Sequence, residues 1–219
     1  VKTYGQYCAL ARGLDLVGDR WTLLIVRELL SLGECRYADL QRGLPGIATN
    51  LLAGRLRDME DANLVRRANL PRPANAVVFS LTDRGAALEG VVREFIKWGA
   101  PLMGSPMPQE SFRAHWLLLP LRALCRDNSP TAQRQVVRVG TVVDGCDIIV
   151  DAGVIRVTPS GSDERPDAVV AADPGSLVAL FAGTMPIAAA ASAQLITGDV
   201  DAVRRVVGGI SVAAGEMTP

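Results

Sequence analysis

The chain has 219 residues, 49% of them apolar and 21% charged, with 23 basic and 23 acidic side chains. That apolar fraction suffices for a packed core and excludes wholesale disorder, and the length suits one large domain or two small ones. The neutral total hides a split, +3 over residues 1–105 and −3 over residues 106–219, which fits a nucleic-acid module joined to something else.

Lys2 and Lys97 are the only lysines, so the basic residues are almost all arginine; beside so much Ala, Gly and Val this is a compositional bias and not a binding signal. In chain order, Tyr7, Leu10, Leu14 and Val17 recur at spacings of three and four and predict a first helix. Trp21, Leu24, Ile25, Glu28 and Leu29 predict a second, which Gly33 ends with its left-handed freedom. A short helix is expected at 37–43, then the turn Leu44-Pro45-Gly46-Ile47, then a helix over 49–62 closed by Asn63. Residues 64–70 and 76–81 read as two strands joined by a proline-arginine tip, and Thr82 or Asp83 caps a long helix with apolar positions Leu88, Val91, Val92, Phe95, Ile96, Trp98 and Leu102.

Three prolines, two glycines and two serines within residues 99–111 break this periodicity. We therefore divide the chain into residues 1–103, a linker at 104–111 and residues 112–219. Beyond the linker the pattern is α+β. An apolar helix over 111–124 is expected to kink at Pro120. Strands follow at 135–143, 147–151, 154–158 and 168–171, then an Asp173-capped helix ended by Gly183, a small-residue helix at 187–193, a strand at 194–197 and a helix at 199–208. Residues 174–198 carry no charge, but only eight are Leu, Ile, Val, Phe or Met and Pro186 sits among them, so they are read as two short elements and not as a membrane span.

Helix, short helix, turn, helix and two strands make a winged helix-turn-helix, whose second helix enters the major groove of double-stranded DNA. On a 100° wheel, Leu52, Leu56 and Met59 share one face of the 49–62 helix and Asn50, Gly54 and Arg57 the opposite one. Thr49, Asn50, Ala53 and Arg57 are the candidate groove readers, since Asn pairs with adenine and Arg with guanine. Arg55 lies beside the packed face and is expected on a phosphate or on a carboxylate of its own chain.

The stretches YGQYCALARGLDLVGDRWTLLIVRELL, RYADLQRGLPGIATNLLAGRLRDMEDANLVRR and FSLTDRGAALEGVVREFIKWG resemble the HxlR-type, MarR-like family of bacterial winged-helix regulators. The resemblance implies a homodimer built from terminal helices, with recognition helices in successive major grooves and wings on the flanking backbone, where Arg66, Arg67 and Arg72 are the contact candidates. Two departures stand out: Ala48 occupies a position where many relatives have a serine-like cap, and the wing tip is short of aromatic residues. Some family members sense oxidants through a cysteine near Cys8. Cys8, four residues before Arg12, is therefore a redox candidate, or else a small side chain at the dimer contact.

Enzyme signatures are absent from the remainder: His115 is the sole histidine, and no G-x-S-x-G, P-loop or H-E-x-x-H occurs. Asp144, Asp147 and Asp151 are expected to be solvated. The stretches CDIIVDAGVIRVTPSG, PDAVVAADPGSLVALFAGT and SAQLITGDVDAVRRVV resemble the sterol-carrier-protein-like fold. That implies a sheet backed by helices around a cavity for hydrophobic molecules, with Leu119, Val139, Ile149, Leu177, Leu180 and Phe181 lining it or serving as plain core. Trp116 is expected over the cavity mouth or at a domain contact.

The expected protein is a non-enzymatic, homodimeric DNA-binding regulator, by family expectation a repressor, whose second domain senses a hydrophobic small molecule or supports the dimer. No cofactor, metal or membrane is called for. The four cysteines form no C-x-x-C pair and no signal peptide is recognised, so reduced thiols and a cytoplasmic location are expected. Two alternatives stay open: a hydrophobic-ligand carrier whose winged helix serves dimerisation, and a regulator switched by oxidation of Cys8.

Overall fold

The computed structural model describes residues 3–73, 75–103, 107, 109–140, 144–161 and 164–207. The chain divides into two compact units, Val1–Val92 and Arg93–Pro219.

The first unit contains α1 (Ala9–Val17), α2 (Thr22–Leu32), β1 (Cys35–Arg36), α3 (Tyr37–Gly43), α4 (Thr49–Asp61), β2 (Val65–Asn69), β3 (Val77–Leu81) and α5 (Asp83–Ala86), and α6 (Glu89–Gly99) runs across the division. Its core is Ile25 and Leu29 of α2, Leu40 of α3, Leu44 of the turn, Leu52, Leu56 and Met59 of α4, and Val65 and Phe79 of the sheet. The sheet order is β1-β3-β2, all antiparallel. β1 escapes the sequence reading because two residues are too short to show alternation; β3 defines it by pairing Cys35 with Phe79.

Asn63 ends the α4 segment at φ 55° and Gly33 follows α2 at φ 74°, the left-handed positions expected of them. The long helix expected after β3 is interrupted. Thr82 caps α5 by accepting from the Gly85 N–H at 3.1 Å and donates to the Asn63 carbonyl at 2.7 Å, tying it to the end of α4. Gly85 lies so close to the Leu64 carbonyl that any Cβ would overlap it. The Leu88 N–H then bonds back only three residues to Gly85, at 3.1 Å, and this tight turn sets off α6 as a separate helix.

The second unit contains α7 (Leu118–Leu124), β4 (Gln135–Gly140), β5 (Gly145–Asp151), β6 (Val154–Pro159), β7 (Ala168–Val170), α8 (Pro174–Phe181), α9 (Ile187–Ser192), β8 (Ile196–Gly198) and α10 (Val200–Val207). The five-stranded sheet is ordered β6-β5-β4-β7-β8, with β4 and β7 parallel and the other pairs antiparallel. The expected ends of β4 and α10, residues 141–143 and 208, lie outside the described residues, as does part of the 104–111 linker. The kink expected at Pro120 is replaced by a change of helix type, a 3-10 turn over Ala114–Leu117 leading into α7. Pro120 falls in the first turn of α7, where its missing N–H leaves no helical bond unmade.

Cross-strand partners share a face, so Val137, Val139, Cys146, Ile148, Val150, Val157, Ala168, Val170 and Ile196 form one buried apolar side of this sheet. Arg138 and Asp147 pair on the other side, with Nε–Oδ1 at 2.7 Å and Nη2–Oδ2 at 2.9 Å. Asp147 is 0% exposed, which corrects the expectation that it is solvated: its strand partner presents a guanidinium that compensates the buried charge. Asp151 is exposed as expected, and Asp144 accepts from the Ala114 and His115 N–H groups and contacts the His115 ring at 3.1 Å.

A second clamp joins the segment after α7 to α10. Arg205 donates from Nε and Nη2 to the two Asp127 oxygens at 2.7 and 2.9 Å and from Nη1 to the Gln133 carbonyl at 2.6 Å. The Arg205 hydrogen bonds hold the Asp127 carboxyl at about 2, below its ordinary 3.8. A depressed carboxylate stabilises the fold fully above its unfolded value and ceases to do so as pH falls through the folded one. Urea unfolding of the full chain should therefore show a midpoint that drops as pH is lowered from about 5 toward about 2. Asp127→Asn should remove part of that slope and lower the midpoint at neutral pH; an unchanged slope would contradict the assignment.

Candidate nucleic-acid interface

The geometry starts beneath α3 and α4. Glu28 of α2 is fully buried, and Arg27 donates to its Oε1 from Nε at 3.0 Å and Nη2 at 2.7 Å. The same Nη2 reaches the Gly43 carbonyl at the end of α3, at 3.3 Å. Burial pushes the Arg27 pKa down, against the opposing pull of Glu28. A Cβ at Gly43 would overlap the Glu28 carboxylate and force it to shift. Leu44 and Ile47 then pin the turn to the core, and α4 follows two residues later.

α4 starts without a side-chain cap, since its N-cap residue is Ala48. Its first residue is held instead by α3: the Tyr37 hydroxyl donates to the Thr49 carbonyl at 2.6 Å and Gln41 Nε2 donates to the Thr49 hydroxyl at 2.9 Å. Leu52, Leu56 and Met59 are buried, Thr49, Asn50 and Arg57 are exposed, and Ala53 and Arg55 are half-buried. Asn50 accepts the Leu51 N–H on Oδ1 at 2.9 Å. Arg55 pairs with Asp19, between α1 and α2, and with Asp58 at 3.2 Å, so its guanidinium is engaged by carboxylates of its own chain.

On the wing, Arg66 Nε donates to Ser80 Oγ across the β2–β3 pair at 2.9 Å. Arg67 and Arg72 are exposed. Among the described residues, Arg57, Arg67 and Arg72 have no hydrogen bond or ion pair, so three cations stand in solvent on α4 and the wing.

Sequence reasoning missed Tyr37, Gln41 and Asp19. The first two were detectable as an i,i+4 pair on one side of α3, whereas nothing local connects Asp19 to a residue 36 positions away.

Cys8 is the exposed N-cap residue of α1, and its carbonyl accepts from the Arg12 N–H at 3.0 Å. Cys35, Cys125 and Cys146 are buried, and burial pushes each thiol up to about 12. α1 exposes Leu10 and Leu14, with Tyr7 just ahead of it, and α6 exposes Val91, Phe95 and Trp98, the last two rings 5.7 Å apart.

In the second unit, Leu119, Val139, Ile149, Leu177, Leu180 and Phe181 are all buried, and half-buried Trp116 meets Phe112 edge-on at 6.5 Å. Val139 is paired with Cys146, three residues from Ile149, so alternation puts Val139 and Ile149 on opposite faces of the sheet. One cavity on one side of the sheet therefore admits only one of the two.

Residues 16–106 match the family described as HxlR-like helix-turn-helix. The uncharacterised HTH-type transcriptional regulator YvaP of Bacillus subtilis is 33% identical over 40% of this chain and 80% of its own length. The HTH-type transcriptional regulator YodB of the same organism is 35% identical over 38% of this chain and 74% of its own. Among solved structures, a putative MarR-family regulator from Porphyromonas gingivalis is 26% identical, covers 45% of this chain and 96% of its own, and gives a TM-score of 0.41.

The contact between Gly43 and Glu28 has a measurable consequence. Gly43→Ala should destabilise the chain by about 1–3 kcal/mol through overpacking. Glu28→Ala should cost about 3 kcal/mol by leaving Arg27 without its buried counter-charge. Urea midpoints at neutral pH read both, and variants as stable as the parent would show that α2 does not support the turn in this way.

Proposed function

The chain belongs to the HxlR-like helix-turn-helix family, and from that premise we propose a repressor that binds double-stranded DNA as a homodimer and senses a hydrophobic small molecule through its second unit. The observation that carries the DNA reading is the division of α4 into a buried apolar side and a solvent side bearing Asn50 and Arg57, with Arg67 and Arg72 exposed on the wing. A groove-facing helix with unpaired guanidiniums has the donors that guanine and phosphate accept. In this reading Thr49, Asn50, Ala53 and Arg57 face the groove, Arg66, Arg67 and Arg72 face the flanking backbone, and Arg55 orients α4 through Asp19.

The homodimer is supported by large apolar side chains left in water along α1 and α6, a state that association relieves. The sensing role is supported by the likeness of the second unit's sequence blocks to a sterol-carrier-protein-like fold and by its helix-flanked mixed sheet. The ligand is assigned to the Val139 side, because apart from Gln135 at the start of β4 that side is apolar. The carrier reading differs from this one only in denying the first unit a specific DNA target.

A direct test is DNA binding by the full chain across a salt series, using duplexes enriched from a random-sequence pool by the wild-type protein. A steep salt slope is expected, and Arg57→Ala or Asn50→Ala should lose about 1–3 kcal/mol on the enriched duplex. Failure to enrich any sequence would favour the carrier.

A second reading, redox control, is favoured by one contrast. Cys8 is exposed, while Cys35, Cys125 and Cys146 are buried thiols held far from ionisation. If this reading holds, an oxidant should release wild-type protein from the enriched duplex and leave Cys8→Ser bound; release of both would reject it.

A further inference from the structure

The way α4 begins carries an inference that rests on the reading of this helix as the DNA-contacting one. Side-chain caps are the ordinary means of fixing a helix start, and Ala48 supplies none. Two bonds from α3 converge on the following residue instead. Tyr37 and Gln41 stand one helical turn apart on α3, which sets both side chains on the same side of it. One reaches the Thr49 carbonyl at 2.6 Å and the other the Thr49 hydroxyl at 2.9 Å.

The polarity of the second bond matters. The amide nitrogen of Gln41 is only a donor, so the Thr49 oxygen accepts and keeps its own proton to give away. Thr49 is exposed at the end of α4 that a groove-entering helix presents to the duplex.

We propose that Tyr37 and Gln41 are positioning residues for DNA recognition: together they seat the first residue of α4 and fix the Thr49 hydroxyl as a hydrogen-bond donor toward an acceptor on a base edge of the duplex. Neither residue touches DNA in this arrangement. Each acts through Thr49, so its effect disappears when Thr49 loses its hydroxyl or its placement. Arg55, held by Asp19, sets the same helix from its middle, and α4 is thereby fixed at two separate points.

The test is a double-mutant cycle in the full chain, read by fluorescence anisotropy on a duplex enriched by the wild-type protein and on a scrambled duplex of the same length and composition. Gln41→Ala, Tyr37→Phe and Thr49→Val should each weaken binding to the enriched duplex by about 3- to 10-fold, the range of a single lost hydrogen bond. Binding to the scrambled duplex should not change. Gln41→Ala combined with Thr49→Val should bind no more weakly than Thr49→Val alone, and Thr49→Ser, which keeps the hydroxyl, should match wild type. Multiplying losses in the double variant, equal losses on both duplexes, or a Gln41→Ala variant that binds as wild type would overturn the inference while leaving the DNA reading intact. A wild-type protein that enriches no sequence would overturn both.

Discussion

A carboxylate with no solvent exposure lies under the turn that separates α3 from α4. Glu28 is held there by the neighbouring guanidinium of Arg27, which also takes the last carbonyl of α3, and Gly43 is small enough to let the end of α3 lie against it. Helix-end carbonyls carry partial negative charge, so a cation at that point serves the helix and the buried acid together. The path of α3 sets the turn, the turn sets where α4 begins, and Tyr37 and Gln41 pass that placement on to Thr49. The solvent-facing chemistry of α4 thus traces back to an ion pair two helices earlier in the chain.

The second unit uses charge in a comparable way. One side of its sheet is apolar but for Gln135, while the Arg138–Asp147 pair sits buried on the other, each charge directly opposite its partner on the next strand. The Arg205–Asp127 clamp joins positions 78 residues apart and gathers the carbonyl of Gln133 into the same site. Bidentate pairs of this kind restrict geometry as well as adding energy, since both guanidinium donors must meet both carboxylate oxygens.

The parts of this architecture that were legible in the sequence were those written in local periodicity. The stripe Leu52, Leu56 and Met59 identified both α4 and its buried side, and the alternation around Val77 and Phe79 identified the wing strand. What stayed hidden depended on distant partners. β1 exists only because β3 pairs with it, the break between α5 and α6 comes from the nearness of Gly85 to Leu64, and Asp147 is buried because Arg138 lies across the sheet. The lining set proposed for a ligand cavity met the same limit: hydrophobicity marks Val139 and Ile149 as interior without saying that they face opposite ways. Arg55 was left between a phosphate and a carboxylate, a choice that turned on Asp19 in another part of the chain.

The exposed cations of α4 and the wing are arginines without exception: Arg57, Arg66, Arg67 and Arg72. A guanidinium keeps its proton throughout the range in which proteins stay folded, and it is not a target of the acyl transfers that neutralise lysine. The positive charge offered by this surface is therefore constant with respect to acidity and to lysine-directed enzymes.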